Sequence, residues 1–242
     1  MKFTLLIPTL NEIVGMKAIM PTIKREWVDQ ILILDGQSTD GTAEYAREQG
    51  YEVYVQKERG IRQGYKEVWP LIRGDVVITF SPDGNSVVEC LPPLIEIMKK
   101  GYDMVIVSRY AKGASSDDDD LLTGFGNWMF TTVTNLLHGG KYSDVMVMYR
   151  AYRTTLVHEL GLYEDTAHRI PEKLFGTRIS WEPLLSARAA RYKLKLAEIP
   201  GDEPARIGGE RKLQVWRWGA AYMFQIVAEI FLPKRYRVKS RS

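Results

Sequence analysis

Five short apolar runs alternate with four helical patterns over roughly the first 110 residues, and no other feature narrows the fold as much. The runs are Phe3–Ile7, Gln30–Leu34, Glu52–Val55, Asp75–Phe80 and Met104–Val107. Between them lie Glu12–Trp27, Thr42–Gln49, Gly60–Ile72 and Glu89–Lys99, which read as helices. A run that is apolar at consecutive positions has both faces buried, the signature of parallel strands covered by helices. The alternation predicts an α/β fold, a mostly parallel, Rossmann-like sheet with helices on both faces. The pattern then loosens into an acidic loop near 113–123 and a helix near Gly126–Leu137. A strand at Val145–Tyr149, a helix near Trp181–Tyr192, a strand at Leu194–Ile199 and an amphipathic helix from about Leu213 follow.

Composition bounds the function classes. At 242 residues, with 45% hydrophobic and 26% charged side chains, the chain suits one large soluble domain. Cys90 is the lone cysteine, so no internal disulfide forms and a reducing, cytoplasmic setting is expected. A net charge of +3 gives no nucleic-acid footprint. The apolar run before Pro8 is too short for a secretory signal and reads as the first strand.

Ligands of open parallel sheets bind beyond the carboxyl ends of the strands, so the chemistry is sought there. The fourth run ends in Ser81-Pro82-Asp83-Gly84-Asn85, where Asp83 and Asn85 offer hard oxygens suited to Mg²⁺ or Mn²⁺. An Asx turn would account for the same residues. The first run leads into Pro8-Thr9-Leu10-Asn11-Glu12, and the second ends at Asp35, placed to accept from a nucleobase or ribose. Ser38 and Asp40 read as caps of the next helix. No Gly-x-Gly-x-x-Gly or Walker pattern follows a strand. His138, His158 and His168 lack metal-ligand spacing and read as structural.

In this order and spacing, the strand-end motifs resemble the nucleotide-sugar half of inverting family 2 glycosyltransferases of the GT-A fold. The nearest branch is that of the polyprenol-phosphate sugar transferases, similar to dolichyl-phosphate mannose synthase. The likeness continues through Ser108-Arg109-Tyr110, Gly126-Asn127-Trp128, Asp144 to Arg153, and Glu198-Ile199-Pro200 with Arg206 to Leu213. It implies a catalytic domain over 1–212, with a nucleotide-sugar half at 1–110 and an acceptor half at 111–212. Residues 213–242 would then form an amphipathic helix and basic tail. The implied roles put Pro8, Asn11, Glu12 and Asp35 at the nucleotide and Asp83 with Asn85 at the metal. Arg206 and Lys212 would serve the donor diphosphate, and Arg109 the acceptor. The expected activity is inverting transfer from a nucleoside diphosphate sugar to a polyprenyl phosphate or a cell-surface glycan precursor. A nucleotidyltransferase, or a degenerate protein that binds nucleotide sugar without turnover, is the alternative.

The departures from the family pattern pull in two directions. Ser81 stands where the metal loop usually has a first acid, and Gly36 where a second acid usually follows Asp35. The run Asp117–Asp120, read as a solvated loop, would repel a lipid phosphate. Members that use a hydroxyl acceptor commonly carry Glu-Asp where this chain has Glu182-Pro183, leaving Glu182 as the one candidate general base. A phosphate acceptor is already anionic and needs no base.

The last helix carries Gln214, Arg217, Gln225 and Glu229 on one stripe with Ala221 between them. Trp216, Met223, Ile226, Val227 and Ile230 lie largely away from that stripe. The expectation is a peripheral helix lying on the cytoplasmic face of a membrane, assisted by Lys234, Arg235, Arg237, Lys239 and Arg241. Packing on the protein's own core or on a second subunit is the alternative.

Overall fold

The computed structural model describes residues 1–207, 215–234, 236 and 238. Its centre is a seven-stranded sheet of β1 (Phe3–Thr9), β2 (Gln30–Asp35), β3 (Glu52–Val55), β4 (Val76–Thr79), β5 (Met104–Ser108), β6 (Arg150–Arg153) and β7 (Leu196–Pro200). The order is β3-β2-β1-β4-β6-β5-β7, and only β6 runs antiparallel to its neighbours. The chain leaves β1 toward β2 on one side and returns to β4 on the other. The switch point, where a cleft opens between connections, therefore lies between β1 and β4.

Side chains alternate across the strands, and each face has its own core. Leu5, Ile7, Ile33, Val76, Ile78 and Val105 meet Met16 of α1 (Ile13–Ile19), Ala46 of α2 (Thr42–Glu48) and Leu94, Ile95 and Met98 of α4 (Leu91–Lys99). Leu6, Leu32, Leu34, Val77 and Met104 meet the other face's helices. These include α3 (Ile61–Val68), α5 (Leu121–His138), α8 (Glu182–Arg191) and α9 (Val215–Ala228). Two further helices, α6 (Leu156–Glu159) and α7 (Thr166–Phe175), complete that side.

The first expected helix is cut short at Ile19 by a 3₁₀ turn that carries Pro21. The strand expected at Val145–Tyr149 lies instead at Arg150–Arg153. Arg150 is fully buried, and Val145–Tyr149 bends around its guanidinium. Carbonyls of Val147 and Val145 accept at 2.9 and 3.1 Å, and Ser186 Oγ accepts at 2.8 Å. A charged residue in a central strand reads as a break from sequence, and only these partners make it tolerable. Helix α7 carries Pro171 in its interior, a residue that masks a helix in the local pattern.

The C-terminal stripe faces the opposite way from the expectation. Ala221, Gln225 and Glu229 are buried. Gln225 Nε2 donates to the Ala167 carbonyl at 2.8 Å. Glu229 takes Arg188 in two bonds of 3.0 and 2.9 Å, and both side chains are buried. The polar stripe is thus the face by which α9 enters the core. Arg217 alone of the described stripe residues is exposed, and Gln214 lies outside the described residues.

Candidate active site

A cleft of about 1140 Å³ opens beyond the carboxyl ends of β1, β2 and β4. Pro8, Glu12, Gly36, Ser81 and Asp83 line one side, and Arg109, Asp118, Glu203 and Arg206 another. Lys173, Arg178, Arg217 and Trp218 close the far end.

The β4 loop is held by its neighbours. At Gly15 in α1, a Cβ would come within 2.3 Å of the Pro82 carbonyl, so glycine lets the helix sit directly on the loop. Gly84 takes φ +93°, and Ile207 packs against it so closely that a Cβ would meet Ile207 Cγ1 at 2.6 Å. The Ile207 N–H donates to the Asp83 carbonyl at 2.7 Å. The segment after β7 is therefore pinned across the β4 loop.

Asp83 is buried, with Oδ1 accepting from the Asn85 N–H at 3.1 Å and Oδ2 paired with Arg206 at 2.8 Å. Asn85 donates through Nδ2 to the Pro204 carbonyl at 2.9 Å, while its Oδ1 is buried without a hydrogen-bond partner among the described residues. An orphaned amide oxygen beside a carboxylate is a hard donor set, and the pair fits Mg²⁺ or Mn²⁺ with further positions left for phosphate oxygens. No group of three or more His, Cys, Asp or Glu side chains able to hold a metal alone occurs among the described residues.

The nucleotide-side residues are tied together rather than free. Asp35 is buried, and its carboxylate accepts from the Ser38 N–H at 2.9 Å and the Thr9 hydroxyl at 3.3 Å. It thus has a structural task that the sequence did not disclose, and it does not line the cleft. Asn11, at φ +54°, donates its N–H to Ser38 Oγ at 2.9 Å and accepts from the Thr39 N–H at 2.8 Å. The Glu12 N–H donates to Thr42 Oγ1 at 2.9 Å. Asp40 accepts from the N–H groups of Thr42 and Ile13, the first residues of α2 and α1. Partial burial pushes its carboxyl up, but these donors together hold it below the usual range.

Arg109 lines the cleft within a cage of acids. Asp144 accepts at 2.7 and 3.1 Å, Glu203 at 3.2 and 3.1 Å, and Asp119 lies 3.8 Å away. Burial opposes its charge, yet Asp144, Glu203 and Asp119 more than offset this and raise its pKa. Burial also pushes the Glu203 carboxyl above its usual range, against the pull of Arg109 and Ser116. The acidic run is solvated only in part: Asp117 and Asp120 are exposed, while Asp118 and Asp119 turn toward the site. Asp118 lies 3.9 Å from Arg206, and Asp119 accepts from the Tyr110 hydroxyl. Asp120 caps α5 in a reciprocal box with Thr123.

Glu182 is not part of this assembly. It is the buried first residue of α8, beside Tyr65, Tyr152 and Arg150, and it does not line the cleft. Lys212 lies outside the described residues. Glu203 escaped the sequence reading although it follows a strand end, where the same logic that found Asp83 applies. Lys173 and Arg217 carry no local signal, because the packing of α7 and α9 brings them to the cleft, and Arg178 reaches it from the segment after α7.

The family model described as Glycosyl transferase family 2 matches residues 4–161. The chain is 29% identical over 232 residues to the dolichyl-phosphate hexose transferase of Haloferax volcanii, covering 95% of this chain and 94% of that protein. It is 26% identical over 241 residues to the undecaprenyl-phosphate mannosyltransferase of Micrococcus luteus, covering 91% and 95%. A solved structure of glucosyl-3-phosphoglycerate synthase from Mycobacterium tuberculosis, in complex with Mn²⁺, uridine diphosphate and phosphoglyceric acid, shares the fold. It superposes with a TM-score of 0.65 at 17% identity, over 97% of this chain and 80% of that one.

Proposed function

The chain belongs to glycosyl transferase family 2, and on that premise we propose that it moves a sugar, with inversion, from a nucleoside diphosphate sugar to a polyprenyl-phosphate-type acceptor. The observation that carries this reading is the β4 loop. There Asp83 is paired with Arg206 at the wall of a cleft large enough for a nucleotide sugar, and the unpartnered Asn85 oxygen belongs to a smaller cavity that Asp83 and Arg206 also line. The relatives named for dolichyl-phosphate and undecaprenyl-phosphate transfer support the acceptor class, and the Mn²⁺ and uridine diphosphate of the structural neighbour support the donor.

In this reading Asp83 and Asn85 hold a divalent cation, which when bound offsets the charge of the leaving diphosphate. Pro8, Asn11, Glu12 and Asp35 shape the nucleotide end, with Asp35 acting by holding the loops after β1 and β2 in register. Arg206 exchanges Asp83 for the donor diphosphate, and its positive charge stabilises the departing group. Lys212 is assigned the same task from the sequence motif. Arg109, held by Asp144, orients the acceptor for attack on the anomeric carbon from the face opposite the leaving group. Residues 1–110 would supply most of the donor site and 111–212 most of the acceptor site, with Arg206 and Lys212 reaching the donor from the second half and Arg109 the acceptor from the first. The protein would work at the cytoplasmic face of a membrane.

One observation favours a second acceptor. Among the described residues, Asp83, Asp118, Asp119, Asp144 and Glu203 pair with Arg109 and Arg206 alone in this part of the cleft. A surplus of carboxylates suits a neutral hydroxyl acceptor better than a phosphate, and Glu203 is then the group able to take the hydroxyl proton. Calorimetric titration with nucleoside diphosphates, with and without Mn²⁺, tests the donor reading. Binding that is tighter with Mn²⁺ and lost in Asp83→Ala supports it, and no binding of any nucleoside diphosphate overturns it. Turnover with a short-chain polyprenyl phosphate set against its free alcohol separates the two acceptors.

A further inference from the structure

Helices α5, α7 and α9 form the outer layer on one side of the sheet. Helix α9 is joined to α5 where His138 Nε2 meets the Ile226 carbonyl at 2.9 Å. It is joined to α7 where Gln225 bonds Ala167 and the Phe224 and Phe175 rings lie 6.2 Å apart. Helix α5 runs 18 residues without one Asp, Glu, Lys or Arg. Its outward stripe is apolar, with Leu121 96%, Trp128 62% and Leu136 80% exposed, and the Phe125 ring tilted against that of Trp128 at 5.6 Å. Ile170 and Leu174 of α7 extend the apolar surface, as do Trp216 at 78% and Phe231 at 82% on α9 and the turn after it. Every exposed charge on the three helices is basic, namely Arg169, Lys173 and Arg217. Glu172, the one acid, turns inward to bond Arg62 at 2.8 Å.

We propose that this three-helix face is the surface by which the protein docks on an anionic lipid bilayer. A broad apolar surface whose exposed helix-borne charges are all positive, with the exposed acids Asp120 before α5 and Asp165 before α7 at its edges, is complementary to acyl chains rimmed by anionic headgroups. No helix among the described residues is long and apolar enough to cross a membrane, so the face lies on the bilayer rather than through it. The three helices also reach the cleft. Asp118 just before α5, Lys173 of α7, and Arg217 and Trp218 of α9 all line it. Docking by this face brings the cleft mouth to the headgroup layer, where a lipid-borne acceptor enters without leaving the membrane. That consequence rests on the polyprenyl-phosphate reading, whereas the docking itself does not.

The surface differs from the basic tail that the sequence suggested. Tyr236 packs on Gly161 and Tyr192, and with Val238 lines a depression beside Asp103, ahead of β5. The described part of the tail is therefore anchored at the strand ends opposite the cleft.

Full-length protein is floated with vesicles of phosphatidylcholine alone or mixed with phosphatidylglycerol. Binding to the mixed vesicles, weakened by salt, is expected. The variant Leu121→Gln/Phe125→Gln/Trp128→Gln/Leu136→Gln should lose more than about tenfold in partitioning. Replacing Lys234, Arg235, Arg237, Lys239 and Arg241 by glutamine should cost far less. Lipids brominated near the headgroup should quench tryptophan emission in the native protein, and the quenching should fall in Trp128→Phe/Trp216→Phe. Absence of flotation, full binding by the α5 variant, or binding abolished by the tail substitutions would each overturn the proposal. So would sedimentation showing a dimer that the α5 substitutions dissociate, with no affinity for vesicles. Nucleotide binding, measured on the same α5 variant by calorimetry, reports separately on the donor reading.

Discussion

Arg206 Nη1 lies 2.8 Å from Asp83 Oδ2, so the residue expected to meet the donor diphosphate is already bonded to the one expected to hold the metal. Their motifs are separated by 123 positions, counted from 83 to 206. The pairing makes the two tasks exclusive at one oxygen. If Asp83 held a cation, Arg206 would be left to pair with the donor diphosphate, and donor and metal would bind with positive coupling.

Asp83→Ala should reduce transfer by at least about a hundredfold, the scale of losing a charge-stabilising contact at a leaving group. A thermal-shift titration with Mn²⁺ and nucleoside diphosphate should show stabilisation of the native protein and none of the variant. Native-like activity in the variant would remove Asp83 from the site.

Arg206→Ala should weaken nucleoside diphosphate binding about tenfold or more while leaving the unfolding midpoint nearly unchanged. The pair with Asp83 is partly solvated on the arginine side, and such pairs contribute little to stability. Calorimetry reads the first effect and scanning calorimetry the second. Lys212→Ala is expected to follow the same pattern.

Glu182→Gln should change kcat by less than about tenfold, because a general base is worth roughly a hundredfold or more and Glu182 does not line the cleft. The loss expected is in stability. A hundredfold fall in kcat with an unchanged unfolding midpoint would restore Glu182 as the base.

Glu229→Ala should cost about 3–5 kcal/mol of unfolding free energy in urea, since it leaves the Arg188 guanidinium buried without its carboxylate. Arg188→Met combined with Glu229→Leu should recover much of the loss by removing both charges.

His168 is fully buried, and burial followed by the nearby Arg62 charge lowers its pKa from 6.5 to about 3. Below pH 6.5 the unfolded chain takes up a proton that the folded imidazole refuses. Its contribution is fully present above that pH and falls toward pH 3, by about 1.4 kcal/mol per unit. Urea unfolding between pH 7 and 5 measures the slope, which His168→Gln should flatten by about that amount.

The sequence by itself determined the sheet and its reactive edge. Consecutive apolar residues in β1, β2 and β4 can be buried only in a covered parallel sheet, and the polar residues that end them must then gather at one edge. That reasoning found Asp83, Asn85 and the loops around Pro8 and Asp35 from local pattern alone. It could not find what depends on partners distant in the chain. Arg150 looked like a strand breaker until the carbonyls of Val145 and Val147 surrounded it. Asp118 and Asp119 looked like part of a solvated run until Arg206 and Arg109 came alongside. The stripe of Gln225 and Glu229 looked outward-facing until Arg188 met it in the core. In each case tertiary structure decided because a charge is costly or harmless according to what lies beside it, and that neighbour is brought by the fold from elsewhere in the chain.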